Sequence, residues 1–356
     1  MRDSPVAVRP GGLPAGHDRL FLVLLAGAFA AYLAGLWLLR RGGRFAAVAA
    51  LACAVQLAPL AAPLLVSTDA WTYWSYARVH DPYHGTPAGD AVSARYAGRA
   101  YLDETSAYGP AFSLASRPVG LTASPDVASY AFRVAAALAV MLTTWVVSRR
   151  RPFAAALVGW NPLVAVHFAG GGHNDALMMA LVAAALALAQ RGRLQAAGVG
   201  WALAILVKWA AIVLLPLRAL EARATRRPVG HLGFALAAAA TLALATLLWR
   251  LHWLHALVPL TRDASRQTSY ALPHRLHLPT WAFAAAYALA YLWLLRTAAR
   301  GRARLGLALA LLLLASPYLI VWYVLWPLTL CAWDEDETAT VLTLALCAYL
   351  LPQGLL

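Results

Sequence analysis

Apolar and polar positions alternate along this chain segment by segment, not residue by residue. Apolar runs occupy residues 20–39, 45–66, 127–148, 153–169, 176–190, 232–249 and 281–295, with short polar stretches between them. Runs of this kind predict helices that satisfy their own backbone hydrogen bonds in a bilayer, whereas a barrel needs strands of alternating polarity. Two further runs resist reading as single crossings. Residues 194–217 lie between Arg191/Arg193 and Arg218/Arg223/Arg226/Arg227, and one crossing would put those clusters on opposite sides, against the positive-inside rule. A broken hairpin resolves the conflict: 194–207 rise, the chain turns near Lys208, and 210–220 return. The same device fits 305–314 and 320–333, turning at Ser316-Pro317-Tyr318. Such half-helices are tolerated where they line a protein-buried site. The pattern predicts an all-α polytopic membrane protein of roughly 10–12 transmembrane segments, some broken. It forms a single membrane domain over 1–356, with a polar tail at 1–19 and a large loop at 67–126.

Composition strengthens this picture. Of the 356 residues 62% are hydrophobic and 12% charged, against roughly a quarter charged in soluble domains. The net charge of +14 does not mark a nucleic-acid partner, because the arginines sit in short clusters between apolar runs instead of on one face. With both hairpins broken, five clusters holding 16 of the 29 Lys+Arg fall on one side, the cytoplasmic one. The 67–126 loop, the turn at His173, Lys208, the 262–277 loop and the turn at Tyr318 fall on the other, together with the N-terminus. Cys53, Cys331 and Cys347 lie inside apolar runs and read as small hydrophobes, without disulfide or metal spacing. The polar N-terminal stretch lacks the features of a signal peptide, so the first apolar run is expected to remain.

Four polar features collect on the second side. Asp69 follows directly on an apolar run, where a carboxylate is costly without a partner or a task. Trp71, Tyr73, Trp74 and Tyr76 surround it, rings that suit a membrane interface or a sugar face alike. Asp69 reads as a solvated residue of an aromatic belt or as a general base toward a hydroxyl acceptor. In Gly171-Gly172-His173-Asn174-Asp175, one polar residue is expected to cap the following helix. Three of them at a bare helix N-terminus also fit contact with a phosphate or sugar. Lys208, in mid-run, is a snorkelling side chain or, at a helix break, a counter-charge for phosphate near Asp69. The 252–278 loop carries Arg262, Arg266, His274, Arg275 and His277, either interfacial anchors or, for Arg275 by preference, a clamp on a leaving phosphate. Trp322 and Tyr323 fit core, belt or acceptor site equally. No Walker A, GxGxxG, HExxH or CxxC pattern occurs, so nucleotide, dinucleotide and zinc chemistry find no support.

Together these stretches resemble a known family. Ser67-Thr-Asp-Ala-Trp-Thr-Tyr-Trp-Ser-Tyr-Ala-Arg78, Asp81-Pro-Tyr83, Tyr108-Gly-Pro110, Trp160-Asn-Pro-Leu163 leading to Gly-Gly-His-Asn-Asp-Ala-Leu-Met178, and Trp322-Tyr-Val-Leu-Trp-Pro-Leu328 are similar to the GT-C glycosyltransferases. Within these the chain resembles the polyprenol-phosphate-mannose-dependent α-1,6-mannosyltransferases of actinobacterial envelopes. The likeness runs in order from about residue 45 to 333, and 161–178 is its most specific piece. It implies a GT-C-like bundle and an inverting transfer of a sugar, by implication mannose, from a polyprenyl-phosphate donor to an envelope glycolipid or glycan. The transfer would occur on the outer face of the plasma membrane, without a cofactor or metal. Asp69 would then be the base, Lys208 and Arg275 would bind the donor phosphate, and Tyr73, Tyr76, Tyr108, His173, Asn174, Asp175, Trp322 and Tyr323 would form the sugar and acceptor site. Two departures stand out: the chain is shorter than the mannan polymerases, and Thr68 occupies the place of the family's arginine before the loop Asp. A transporter or lipid-linked-sugar flippase is the rival class. It would spread polar residues through the bilayer depth, whereas here they gather on one side.

Overall fold

A computed structural model describes residues 6–10, 19–258 and 266–353. The long apolar runs become α1 (Arg19–Leu39) and α2 (Phe45–Leu57). The following segment holds α3 (Asp69–Arg78), α4 (Ala91–Tyr96) and α5 (Pro110–Gly120). Next come α6 (Pro125–Ser148), α7 (Pro152–Gly159) and α8 (Pro162–Ala165), the last running into a π-turn, Val166–Gly170. Beyond it lie α9 (Asp175–Gln190), α10 (Leu194–Val207), α11 (Leu214–Ala224) and α12 (His231–Trp249). The chain finishes with α13 (Leu272–Arg275), α14 (Thr280–Ala299), α15 (Leu305–Ala315), α16 (Leu325–Asp334) and α17 (Glu337–Leu350). The all-α polytopic architecture read from the sequence is the one observed.

The helices fall into two length classes. Among the described residues four helices, α1, α6, α12 and α14, are long and apolar enough to cross a membrane, and α7 with α8 makes a fifth if that pair, bent by 48°, is one span. The other apolar runs fold as helices of 10–17 residues. At 1.5 Å per residue a 14-residue helix rises only about 21 Å, short of the ~30 Å hydrocarbon core. One expected span, 153–169, is broken by a polar residue. Asn161 ends one helix and restarts the next, its Oδ1 accepting from the Leu163 and Val164 N–H groups at 3.0 and 3.3 Å, with Pro162 in the first turn where no N–H is needed.

Both expected hairpins are present. α10 stops at Lys208, whose backbone is extended (φ −151, ψ 123), and a 3-10 turn, Trp209–Val213, leads into α11. The start of α12, just past α11, packs on the start of α10: Gly233 N–H donates to Gln195 Oε1 at 2.7 Å. A Cβ on Gly198 would fall 2.0 Å from the Gly230 carbonyl oxygen. α11 has therefore brought the chain back to the end from which α10 set out. In the second hairpin Gly306 N–H, at the start of α15, donates at 2.9 Å to Asp334 Oδ2 at the end of α16.

One end of the bundle collects the arginines. Arg149 donates to the Trp333 carbonyl at 2.5 Å and Arg151 to that of Ala332 at 2.7 Å. Arg151 also pairs with Glu335, Arg218 with Glu221, and Arg304 with Asp336 at 2.6 Å. The opposite end holds the 67–126 segment, which is folded tightly. Asp90 caps α4, Tyr76 Oη donates to the Glu104 carbonyl at 2.9 Å, and Tyr83 Oη is 2.8 Å from Ser113 Oγ. Of the polar tail expected at 1–19, residues 6–10 and 19 are described. Val6, Ala7 and Val8 are buried and strap the chain just ahead of Asp69, with Val8 N–H donating to the Leu64 carbonyl (2.9 Å) and Val66 N–H to that of Val6 (3.0 Å).

Tyr108-Gly109-Pro110 docks this segment onto the end of α10. Gly109 N–H faces the Val207 carbonyl at 3.3 Å, and a Cβ at position 109 would lie 2.0 Å from the Leu206 carbonyl oxygen. Backbone on both sides leaves nothing flexible to yield. Gly109→Ala is expected to cost at least the ~1–3 kcal/mol of an overpacked core, read as a lower melting temperature in detergent.

Candidate active site

α3 begins at Asp69, so the carboxylate occupies the first turn of a helix, where the macrodipole favours a negative charge. Its approach is unusual. Val66, a β-branched residue, has φ 56, and Ser67 N–H reaches back to the Leu65 carbonyl at 2.6 Å, closing a tight turn. A left-handed Val is strained. The Val6 strap and the Gly170 carbonyl, 3.0 Å from Leu65 N, hold it. Ser67 Oγ then accepts from Asp69 N–H at 3.1 Å.

The turn between the π-turn and α9 meets Asp69. Gly172 has φ 78, a conformation glycine adopts without penalty, and a Cβ there would crowd Ala70 and Arg133. Arg133 of α6 is buried and braces the turn, donating to the Ala169 carbonyl at 2.8 Å and the Pro59 carbonyl at 2.5 Å. With the turn so fixed, His173 Nδ1 lies 3.0 Å from Asp69 Oδ2. An ionised carboxylate only accepts, so Nδ1 carries the proton and donates. The imidazole stacks on Trp322 at 3.8 Å between ring centroids and 15° between planes. Its Nε2 is buried without a partner. Burial pushes the Asp69 carboxyl up, but the hydrogen bonds from His173 and Ser67 and the fields of His173 and Lys208 outweigh it, and the net direction is down. Of this pair only Asp69 is reachable: its side chain keeps 10% exposure and that of His173 none.

The second half of the site is built around Asp175. Its Oδ1 takes Lys208 Nζ at 2.7 Å and Trp326 Nε1 at 2.6 Å, while Oδ2 is buried without a partner. Lys208 keeps 19% side-chain exposure and lies over the Tyr323 ring at 4.7 Å and the Trp326 ring at 5.5 Å. Asn174 N–H donates to Tyr73 Oη at 3.3 Å, and its Nδ2 is an unpartnered donor. The capping expected of Asn174 or Asp175 is corrected: α9 has no side-chain cap bond, because both side chains are engaged across the site. Buried orphan polar atoms are rare in folded proteins. Here an imidazole nitrogen, an amide and a carboxylate oxygen are all orphaned within one turn.

Asp69, His173, Asn174, Asp175, Lys208, Tyr73, Trp322 and Tyr323 thus come together. Three expected members sit at the margin of this cluster or beyond it. The Tyr76 hydroxyl is taken up by loop carbonyls, and Tyr108 packs edge-on against Tyr73 at 5.0 Å, supporting it. Arg275 is exposed and lies over the Tyr270 ring at 4.8 Å, on a helix outside the cluster. Arg266 pairs with Glu104 at 3.8 Å, and Arg262 lies outside the described residues. Arg133 and His167, whose buried ring sits 6.0 Å from that of His173, escaped notice in the sequence, and Trp326 was noted only as part of the 322–328 motif. Arg133 and His167 each left a signal, as a titratable side chain inside a long apolar run. Among the described residues no group of three His, Cys, Asp or Glu side chains is arranged to hold a metal ion.

The site is a reachable carboxylate braced by an imidazole, beside an ammonium with aromatic walls. It suits proton removal next to a bound phosphate or sugar. Comparison with known proteins agrees in class. An alpha-(1->6)-mannopyranosyltransferase A of Mycobacterium tuberculosis (strain ATCC 25618 / H37Rv) is 31% identical over 203 residues, which are 49% of this chain and 38% of that protein. No solved structure matches. A family profile described as alpha-(1->6)-mannopyranosyltransferase, N-terminal domain, matches residues 8–224, the stretch that carries Asp69, His173, Asp175 and Lys208. The chain therefore belongs to the alpha-(1->6)-mannopyranosyltransferase family.

Proposed function

We propose that this protein transfers mannose from a polyprenyl-phosphate donor to a hydroxyl of an envelope glycolipid or glycan, with inversion, on the extracytoplasmic face of the plasma membrane. The observation that carries the reading is the Asp69–His173 pair beside Lys208, at the end of the bundle opposite the arginines. Under the positive-inside rule the arginine end is cytoplasmic, which leaves the site outside.

In this mechanism the acceptor oxygen attacks the anomeric carbon while its proton passes to Asp69. The carbon–oxygen bond to the donor phosphate breaks, and its electron pair leaves on the phosphate. A single displacement inverts the anomeric centre. Phosphate departs without strong acid help, so one carboxylate suffices. His173 holds that carboxylate in place and keeps it ionised. Lys208 stabilises the departing charge, the donor phosphate taking over part of the ammonium that Asp175 holds. Trp322 and Tyr323 offer aromatic faces to the sugar, and the orphan atoms of Asn174 and Asp175 offer a donor and an acceptor to its hydroxyls.

The test is transfer of label from polyprenyl-phosphate-[14C]mannose to lipid and glycan acceptors, in sealed vesicles of both orientations containing the protein. The expected result is product with the outer face accessible and none from a nucleotide-mannose supplied alone. Label taken only from the nucleotide sugar, or none from any polyprenyl-phosphate sugar, would overturn the reading.

A further inference from the structure

At the arginine end, α10, α11 and the start of α12 enclose an open cavity of about 460 Å³. It lies at the other end of the bundle from Asp69. Protein interiors pack closely, so a space of this size, within the range of ligand pockets, needs a structural cause. Its walls are tied to different neighbours. α10 and α12 are locked together at Gly198, Gly230 and Gly233. α11 is drawn to the far side, where Glu221 Oε1 accepts from Ala303 N–H at 3.0 Å and the Val213 carbonyl accepts from Tyr291 Oη at 2.6 Å. The two arms of the first hairpin are thus held apart.

The lining is of two kinds. Leu186, Trp201, Leu215 and Phe234 make an apolar wall, and Arg218 and Arg227 supply guanidinium groups. Arg218 pairs with Glu221, the one carboxylate in the lining, and that carboxylate is shared with Ala303 N–H. Arg227 is exposed, and its charge acts unfavourably on Arg218. His231 completes the polar side. Asp334 adds a second carboxylate that acts on Arg218 from outside the lining, so the cation left over is the exposed Arg227, above an apolar cleft. A free anion would use the charge but not the wall, and a neutral lipid the wall but not the charge.

We propose that this cavity binds the phosphate headgroup of an anionic phospholipid, with Arg227 and Arg218 on the phosphate and the hydrocarbon along Trp201 and Phe234. Basic pockets between membrane helices favour such headgroups. The site is separate from the donor site, and binding there does not depend on the transfer reaction.

The test uses full-length protein, purified in detergent and stripped of lipid, melted with bilayer nanodiscs or micelles of stated composition. Phosphatidylglycerol is expected to raise the melting temperature by about 3 °C or more, while phosphatidylcholine and inorganic phosphate leave it unchanged. Arg227→Ala, an exposed position that folding should tolerate, is expected to weaken the response to phosphatidylglycerol roughly tenfold in lipid concentration. Ala219→Phe, which fills the cavity from its exposed lining, should abolish it. Equal shifts from both lipids, or an unchanged response in both variants, would overturn the proposal. An equal shift from inorganic phosphate that Arg227→Ala removes would overturn the lipid assignment in favour of a free anion.

Discussion

Asp69→Asn is expected to reduce mannosyl transfer by about 10²–10⁴-fold, the usual contribution of a positioned general base, while the protein folds normally. The substitution keeps the shape of the side chain, and an amide can still hydrogen-bond to His173 Nδ1, 3.0 Å away in the native protein. Fold and helix start are thus preserved and only the basic function is removed. The pH profile of the wild type gives a second readout. The Asp69 carboxyl titrates below its ordinary value because the hydrogen bonds and charges around it outweigh burial. The active, deprotonated form is present above the folded-state value and is lost as pH falls through it. The acid limb of activity should therefore lie below the ordinary carboxylate range, and the same shift makes ionised Asp69 a source of stability that disappears on acidification. A His173→Gln variant, with the imidazole gone, should move that limb upward as well as slow transfer. An Asp69→Asn protein with wild-type activity would remove the proposed mechanism.

The second large effect concerns Lys208 and Asp175. Asp175 is fully buried, and Lys208 is its charge partner at 2.7 Å. Removing one member of a buried pair typically costs ~3–5 kcal/mol, because the other is left uncompensated. Lys208→Met is expected near the lower end of that range, since the lysine keeps partial exposure and Trp326 Nε1 remains on the carboxylate at 2.6 Å. The double variant Lys208→Met/Asp175→Asn should recover most of the lost stability, because no charge is then stranded. Its transfer activity should stay low, since no ammonium remains to meet the phosphate. Thermal melts and transfer assays on the three proteins separate the two roles. If activity returns along with stability in the double variant, the pair is structural and the phosphate is bound elsewhere.

What the sequence could and could not reveal follows from the range of the forces involved. The breaks at Lys208 and at Ser316-Pro317-Tyr318 were legible because charge sidedness is a global constraint that a linear reading can apply. Asp69 and His173 were legible as costly polar groups at the ends of apolar runs, and Lys208 as a charge in the middle of one. The partnerships were not. Nothing local says that Asp175 turns away from capping α9 to hold Lys208 and Trp326, or that Arg133 reaches across to brace the glycine turn. The packing of Tyr76 and Tyr108 was hidden for a related reason. An aromatic residue near a carboxylate looks the same in sequence whether it meets a ligand or supports a neighbour. The lengths of the individual helices were not legible, because hydropathy registers an apolar run but not where its helix stops.

The strap at residues 6–8 and the tail of α17 share an end of the bundle. Val6–Val8 pair with the turn before Asp69, and Gln353 Nε2 reaches the Leu319 carbonyl at 2.8 Å, beside the turn of the second hairpin. A reporter domain joined ahead of Val6 and another joined behind Gln353 would therefore share one compartment, and a reporter spliced in at Arg226 would sit in the other. Sidedness thus becomes a property that fusion enzymology can read without any sugar donor.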